Sequence, residues 1–259
     1  MMNKRIKIIV ATHKVVEAID KKIDNAYQKI MVGAYNKDVP EGYLSDHFKG
    51  GISHKNPNFC ELTGQYYLYK MDDSDIKGLV HYRRIFSNNL LPFIRLKAIN
   101  RKQILKYLKN YDIILPKHIS LAPETVEENY ANNHHKKDYE LLREVFKDKF
   151  SDYLVAFEKV SCGYNTYLAN MLIAPKEIFD AYSKWLFDVL FELEKRTDIS
   201  SYDTYQARIY GFLSERLLLV WLTKHPLKVK EVTVLNTEQK QFPVFMDKIK
   251  RKLKGWFRK

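Results

Sequence analysis

The chain has 259 residues, 46% of them hydrophobic, and a formal net charge of +13. That length holds one large domain or two small ones, and no run of about 18 apolar residues offers a membrane-spanning helix. The charge is uneven: the last thirteen residues, Asp247 to Lys259, carry seven Lys or Arg and one Asp, leaving +7 for the other 246. The basic excess therefore does not read as a nucleic-acid surface spread over the domain.

A charged start and a short apolar run predict a first buried strand at residues 5–12, not a signal peptide. Thr12, His13 and Lys14 stand at its carboxyl end, where ligands bind in open α/β sheets. Residues 29–35 predict a second strand. Residues 36–58, rich in Asp, Gly, Asn and Pro, predict a loop with scope for function. A helix is expected over 61–70, begun by Asn56-Pro57, with Leu62, Tyr66 and Tyr69 on one face. The turn Asp72-Asp73-Ser74-Asp75 leads into a strand at 76–82. A helix over 101–110 runs into a strand at 111–116, ended by Pro116. Residues 117–137 are polar and irregular and carry His134 and His135; 138–149 predict a helix. Residues 167–175 predict a buried strand interrupted by Asn170. Apolar spacing predicts long helices over 176–196 and 202–223, and 228–235 predict a last strand. Strands alternating with helices give an α/β sandwich over residues 1–240, followed by a basic tail at 241–259. Cys60 and Cys162 make no disulfide framework, and no Cys/His cluster has zinc spacing, which fits a cytosolic protein.

The most informative stretch is Ile76 to Phe86. Its apolar run stops abruptly in His81, Tyr82, Arg83 and Arg84, as a buried strand does when its carboxyl end opens into a crevice. Two guanidiniums there suit a diphosphate or a carboxylate, because the planar fork matches those oxygens. The plainer reading is that they pair with structural carboxylates.

Several segments together resemble one bacterial family. They are Lys7-Ile8-Ile9-Val10-Ala11-Thr12-His13-Lys14, Asn56-Pro57 with Cys60-Glu61-Leu62-Thr63, Gly78-Leu79-Val80-His81-Tyr82-Arg83-Arg84, Ile114-Leu115-Pro116-Lys117, Trp185-Leu186-Phe187 and Gly211-Phe212-Leu213-Ser214-Glu215-Arg216-Leu217. The family is that of capsular and exopolysaccharide biosynthesis proteins, regarded as glycosyltransferases with a GT-A-like fold. The resemblance implies a mixed sheet sandwiched by helices, a nucleotide-sugar donor (UDP-linked, with galactose or galactofuranose as candidates) and a lipid-linked oligosaccharide acceptor. In ordinary GT-A enzymes an Asp-x-Asp motif at the central strand end holds a divalent metal, Mg or Mn. Here that strand end is His81-Tyr82-Arg83-Arg84, without a carboxylate, so no metal ligand is assigned. Asp73-Ser74-Asp75 matches the pattern but precedes the strand, and reads as a solvated turn.

Glycosyl transfer needs stabilisation of the leaving diphosphate and a base for the acceptor hydroxyl. Arg83 and Arg84 are the candidates for the first task, with Thr12, His13, Lys14, His81, Tyr82 and Asn170 as donor-binding residues. Glu215 is the first candidate base, against a structural Glu215–Arg216 network; Asp203 is the second, against a helix-start role. Asn170 equally suits a satisfied buried amide, and Tyr66, Tyr67 and Tyr69 suit the core as well as a sugar. His134 and His135 suit acceptor or phosphate contacts, or a mobile loop, better than a metal.

In the tail, Phe242, Phe245, Met246, Ile249, Leu253 and Trp256 share a helical face, with basic residues over the rest. This predicts an amphipathic helix lying on an anionic membrane through residues 242–259, which places the protein peripherally on the inner face of the cell membrane. A disordered basic end, or a helix docked on the domain, is the alternative. The competing functional class is a non-catalytic peripheral protein that binds anionic lipid or nucleotide.

Overall fold

The computed structural model describes residues 4–88 and 97–238. In chain order the strands and helices are β1 (Ile6–Thr12), β2 (Tyr27–Met31), β3 (Leu44–Ser45), α1 (Asn56–Phe59), α2 (Leu62–Met71), β4 (Ile76–His81), β5 (Arg84–Ser87), α3 (Arg101–Tyr107), β6 (Ile113–Pro116), β7 (Ile119–Ser120), α4 (Val126–Asn133), α5 (Lys136–Lys149), α6 (Ser151–Ser161), β8 (Asn165–Thr166), β9 (Leu172–Pro175), α7 (Lys176–Glu194), α8 (Ile209–Lys224) and β10 (Val229–Asn236).

Eight strands form one mixed sheet in the order β3-β2-β1-β4-β5-β10-β6-β9, with β9 also pairing β4. β1 is parallel to both β2 and β4, and β9 runs antiparallel along β4. The sheet is buried on both faces, which is why its inner strands read as continuous apolar runs. Alternation divides them between two cores. Ile9, Ala11, Leu79, Leu172 and Ala174 face the larger one, with side chains from α2 and from α5 to α8. Ile8, Val10, Val80, Met171 and Ile173 face a smaller one, which α3 and loop residues such as Ile19 and Ile99 complete. Gly78 lets β9 approach: a Cβ there would lie 2.7 Å from Ile173 Cγ1 and 2.9 Å from the Leu172 carbonyl oxygen.

Several boundaries differ from the sequence expectation. β2 starts and ends earlier than 29–35, because Gly33 takes a positive φ of 67° and turns the chain toward the buried Asp46. Residues 117–137 are not irregular throughout: Thr125 and Glu128 form a reciprocal capping box that starts α4. α6 and the short β5 were not expected. Of the strand expected at 167–175 only 172–175 forms, since Ala169 and Asn170 both have positive φ. The helix expected from 202 begins at Ile209, after a 3-10 turn at Gln206–Arg208. The tail helix expected at 242–259 lies outside the described residues.

Candidate active site

Register builds the site. Ala11 on β1 pairs with His81 on β4, so Thr12, His13 and Tyr82 leave the sheet side by side. Leu79 pairs antiparallel with Leu172 on β9, which brings the residues just before β9 to the same mouth. There His81 Nε2 lies 2.6 Å from the Ala169 carbonyl oxygen. Backbone positions with positive φ are costly for non-glycine residues and collect at functional sites. Ala169 (79°), Asn170 (42°) and Cys60 (52°) all have them here.

The two left-handed residues before β9 hold two carboxylates. The Ala169 N–H donates to Glu215 Oε1 at 2.8 Å, and Asn170 Nδ2 donates to Glu61 Oε1 at 2.8 Å. Asn170 is buried and fully used, since Nδ2 also reaches the Gly211 carbonyl and Oδ1 accepts from Ser214 Oγ. His81 Nε2 is 3.8 Å from Glu61 Oε1. Burial pushes the Glu215 pKa above the usual carboxylate range and the Glu61 charge adds to the rise; Arg216, the Ala169 N–H and His81 oppose it. The Glu215 side chain keeps 20% of its surface exposed. Its other oxygen meets Arg216 at 3.1 Å, so the structural Glu–Arg network is present.

Cations ring the opening. Thr12 Oγ1 donates to the Lys14 carbonyl at 2.6 Å and fixes the turn after β1. Burial lowers the His13 pKa, and Arg83, Lys14 and Arg208 lower it further. Tyr82 lies beneath this rim, its ring centroid 5.5 Å from His13, 5.2 Å from Lys14 Nζ and 5.0 Å from the Arg83 guanidinium. The Tyr82 hydroxyl is buried without a hydrogen-bond partner among the described residues, which in a native fold asks for a water or a ligand. Glu238 closes on the rim, 2.9 Å from Arg83 and 3.6 Å from Lys14.

The candidates do not all converge. Arg84 opens β5 opposite Asn236, exposed and without an ion pair to any described residue. Asp203 is exposed and accepts from the N–H groups of Tyr205 and Gln206, a local turn-capping arrangement. Tyr66 packs in the core against Phe187 and Phe191. His134 stacks on Phe212 and bonds Gln206. The acidic turn before β4 is occupied at the opposite end of the strand, Asp72 by Lys7 and Asp75 by the Arg5 N–H. No group of three or more His, Cys, Asp or Glu residues among those described is arranged to hold a metal ion. The strand end itself carries His81, Tyr82, Arg83 and Arg84 and no carboxylate.

Three residues were missed. Glu61 sits at the left-handed bend of Cys60, in a position that resembles an ordinary helix start. Arg208 was hidden inside an expected helix; its Nε donates to Cys60 Sγ at 3.2 Å. Burial pushes the Cys60 thiol up to about 11, so it is a neutral packing group. Behind it, fully buried Asp46 accepts from the Gly33 and Ala34 N–H groups and from Ser53 and Thr63 Oγ atoms. Asn56 connects this knot to the bend by donating to the Cys60 carbonyl and the Thr63 hydroxyl.

The profile of DUF4422, a domain of unknown function, matches residues 7–226, from β1 to the end of α8. The chain belongs to this family. Among solved structures, this DUF4422 domain is similar to the apo structure of WbbM, a bifunctional glycosyltransferase, with a TM-score of 0.80 and 25% identity. The match covers 90% of this chain and 45% of that one, so the domain spans less than half the length of WbbM. No curated protein matches it. The mixed sheet flanked by helices is thus a glycosyltransferase-like fold.

Proposed function

We propose that the domain transfers a glycosyl group from a nucleotide-sugar donor to a carbohydrate hydroxyl. The observation that carries this reading is the pairing of a cationic rim (Lys14, Arg83 and Arg208, around His13) with two carboxylates, Glu61 and Glu215, held at adjacent residues before β9. A donor diphosphate meets the rim, displacing Glu238 from Arg83 and Lys14. Glu215 in its ionised form takes the acceptor proton as the acceptor oxygen bonds to the anomeric carbon. The bond from that carbon to the diphosphate breaks, and its electron pair leaves on a phosphate oxygen that Arg83 neutralises. The Glu61 charge keeps Glu215 basic, while Asn170 and the Ala169 N–H fix both carboxylates. Arg84 serves as a second, outer cation, and Asp203 stabilises the turn before α8.

The family resemblance extends the proposal to a UDP-linked galactose or galactofuranose donor and a lipid-linked oligosaccharide acceptor of a capsule or exopolysaccharide pathway. The basic tail at 242–259 would hold the domain on the inner membrane face. Among the described residues no helix is long and apolar enough to cross a membrane.

A thermal-shift panel of nucleotide sugars, with and without EDTA, tests the reading. One donor should raise Tm, as ligand at 100 times its Kd stabilises by about 2.7 kcal/mol. EDTA should leave binding and turnover unchanged. Arg83→Ala should lower turnover on the order of a hundredfold. No stabilisation by any donor, or normal turnover in Arg83→Ala, removes the diphosphate role.

A further inference from the structure

A groove of about 1580 Å³ opens on the sheet face covered by α3. Of the sixteen described residues that line it, seven are Lys or Arg and one, Asp24, is an acid. That carboxylate is already held by the Arg101 and Ala26 N–H groups. Some lysines outside the groove meet carboxylates, as Lys7 meets Asp72, Lys55 meets Glu194 and Lys77 meets Asp180. Lys4, Lys97, Lys102, Lys106 and Lys109 are exposed and form no ion pair with any described residue. Cations gathered without counter-charges repel one another and attract an external anionic surface.

The floor decides which surface. Ile23, Leu105 and Leu108 are half-buried apolar side chains on the smaller core. Among the described residues no aromatic ring lines the groove. Apolar side chains bordered by lysines match the boundary between headgroups and acyl chains in an anionic bilayer. The groove also adjoins the route to the tail. Lys22, on its wall, donates to the Thr237 carbonyl at 3.1 Å, where the chain has left β10 on its way to residues 241–259. Thr237 is bonded in turn to the carbonyls of Tyr82 and Arg83 at the catalytic rim.

We propose that the α3 groove docks on the anionic surface of a lipid bilayer. Docking is separate from the tail and sets the orientation of the domain on the bilayer. It is independent of the transferase reading, because vesicle binding needs no turnover. The test uses the full chain with vesicles of phosphatidylcholine alone or mixed with phosphatidylglycerol, in flotation. Lys102→Gln, Lys106→Gln and Lys109→Gln combined should weaken binding to the anionic vesicles on the order of a hundredfold, about fivefold per lysine. The thermal unfolding midpoint should stay within a few degrees of the parent, since all three side chains are exposed. The comparator is Lys250→Gln, Arg251→Gln and Lys252→Gln, whose loss should add to that of the α3 variant. Wild-type affinity in the α3 variant overturns the proposal, as does failure of the parent chain to prefer anionic vesicles. It is equally overturned if the α3 variant loses duplex DNA binding while keeping vesicle binding.

Discussion

Replacing Glu215 by Gln separates the catalytic reading of this residue from the structural one. Its folded pKa is raised by burial and by the Glu61 charge, despite Arg216 and the Ala169 N–H. Between the unfolded and folded pKa values the native state binds the extra proton. Wild-type stability therefore falls as pH rises through that window, and levels off once the raised pKa is passed. Each unit of rise costs about 1.4 kcal/mol at neutral pH, and each kcal/mol moves the Tm of a domain this size by about 2–4 °C. Gln keeps an acceptor for the Ala169 N–H and removes the charge. The Tm of Glu215→Gln minus that of the parent should be smallest near pH 4 and grow toward pH 8, while turnover drops about 10²–10⁴-fold. In the parent, the rate should rise with pH through an apparent pKa above the ordinary carboxylate value. Glu215→Ala, by contrast, leaves the Ala169 N–H unpaired and should lose about 1–3 kcal/mol. Paired thermal melts and pH–rate profiles make the measurement. A Tm difference that shrinks as pH rises would refute the reasoning and make Glu215 an ion-pair partner of Arg216; near-normal turnover in the Gln variant would remove it as base.

Gly78→Ala forces a Cβ to within 2.7 Å of Ile173 Cγ1 and 2.9 Å of the Leu172 carbonyl oxygen. Urea unfolding should show a loss of about 1–3 kcal/mol, and an unchanged midpoint would mean that β9 sits farther from β4. Asp46→Ala strips four donors of their shared acceptor, and should cost at least about 3 kcal/mol in the same assay. Because the knot backs the Cys60 bend through Asn56, the surviving folded fraction should also turn over more slowly. Glu61→Gln should reduce turnover while leaving donor-induced thermal shifts intact, and should move the rate-controlling pKa downward, since a like charge beside Glu215 is gone.

The sheet strands and the long helices were readable because apolar periodicity is local: Ile6 to Thr12 and Ile76 to His81 are buried on both faces, and Lys176 to Glu194 carries one apolar stripe. The abrupt polar end of β4 pointed to the mouth for the same reason. Failures came where backbone conformation depends on distant partners. Ala169 and Asn170 look like strand residues but hold positive φ while anchored by Glu61, His81, Gly211 and Glu215. Their contacts span 41 to 109 positions in the chain, a separation at which no spacing rule operates. Composition and order along the chain determined an α/β domain with a basic strand end. Only tertiary pairing decided that Glu61 and Arg208 join His81 and Glu215 at one opening, because parallel β1–β4 and antiparallel β4–β9 registers bring together residues that are remote in sequence.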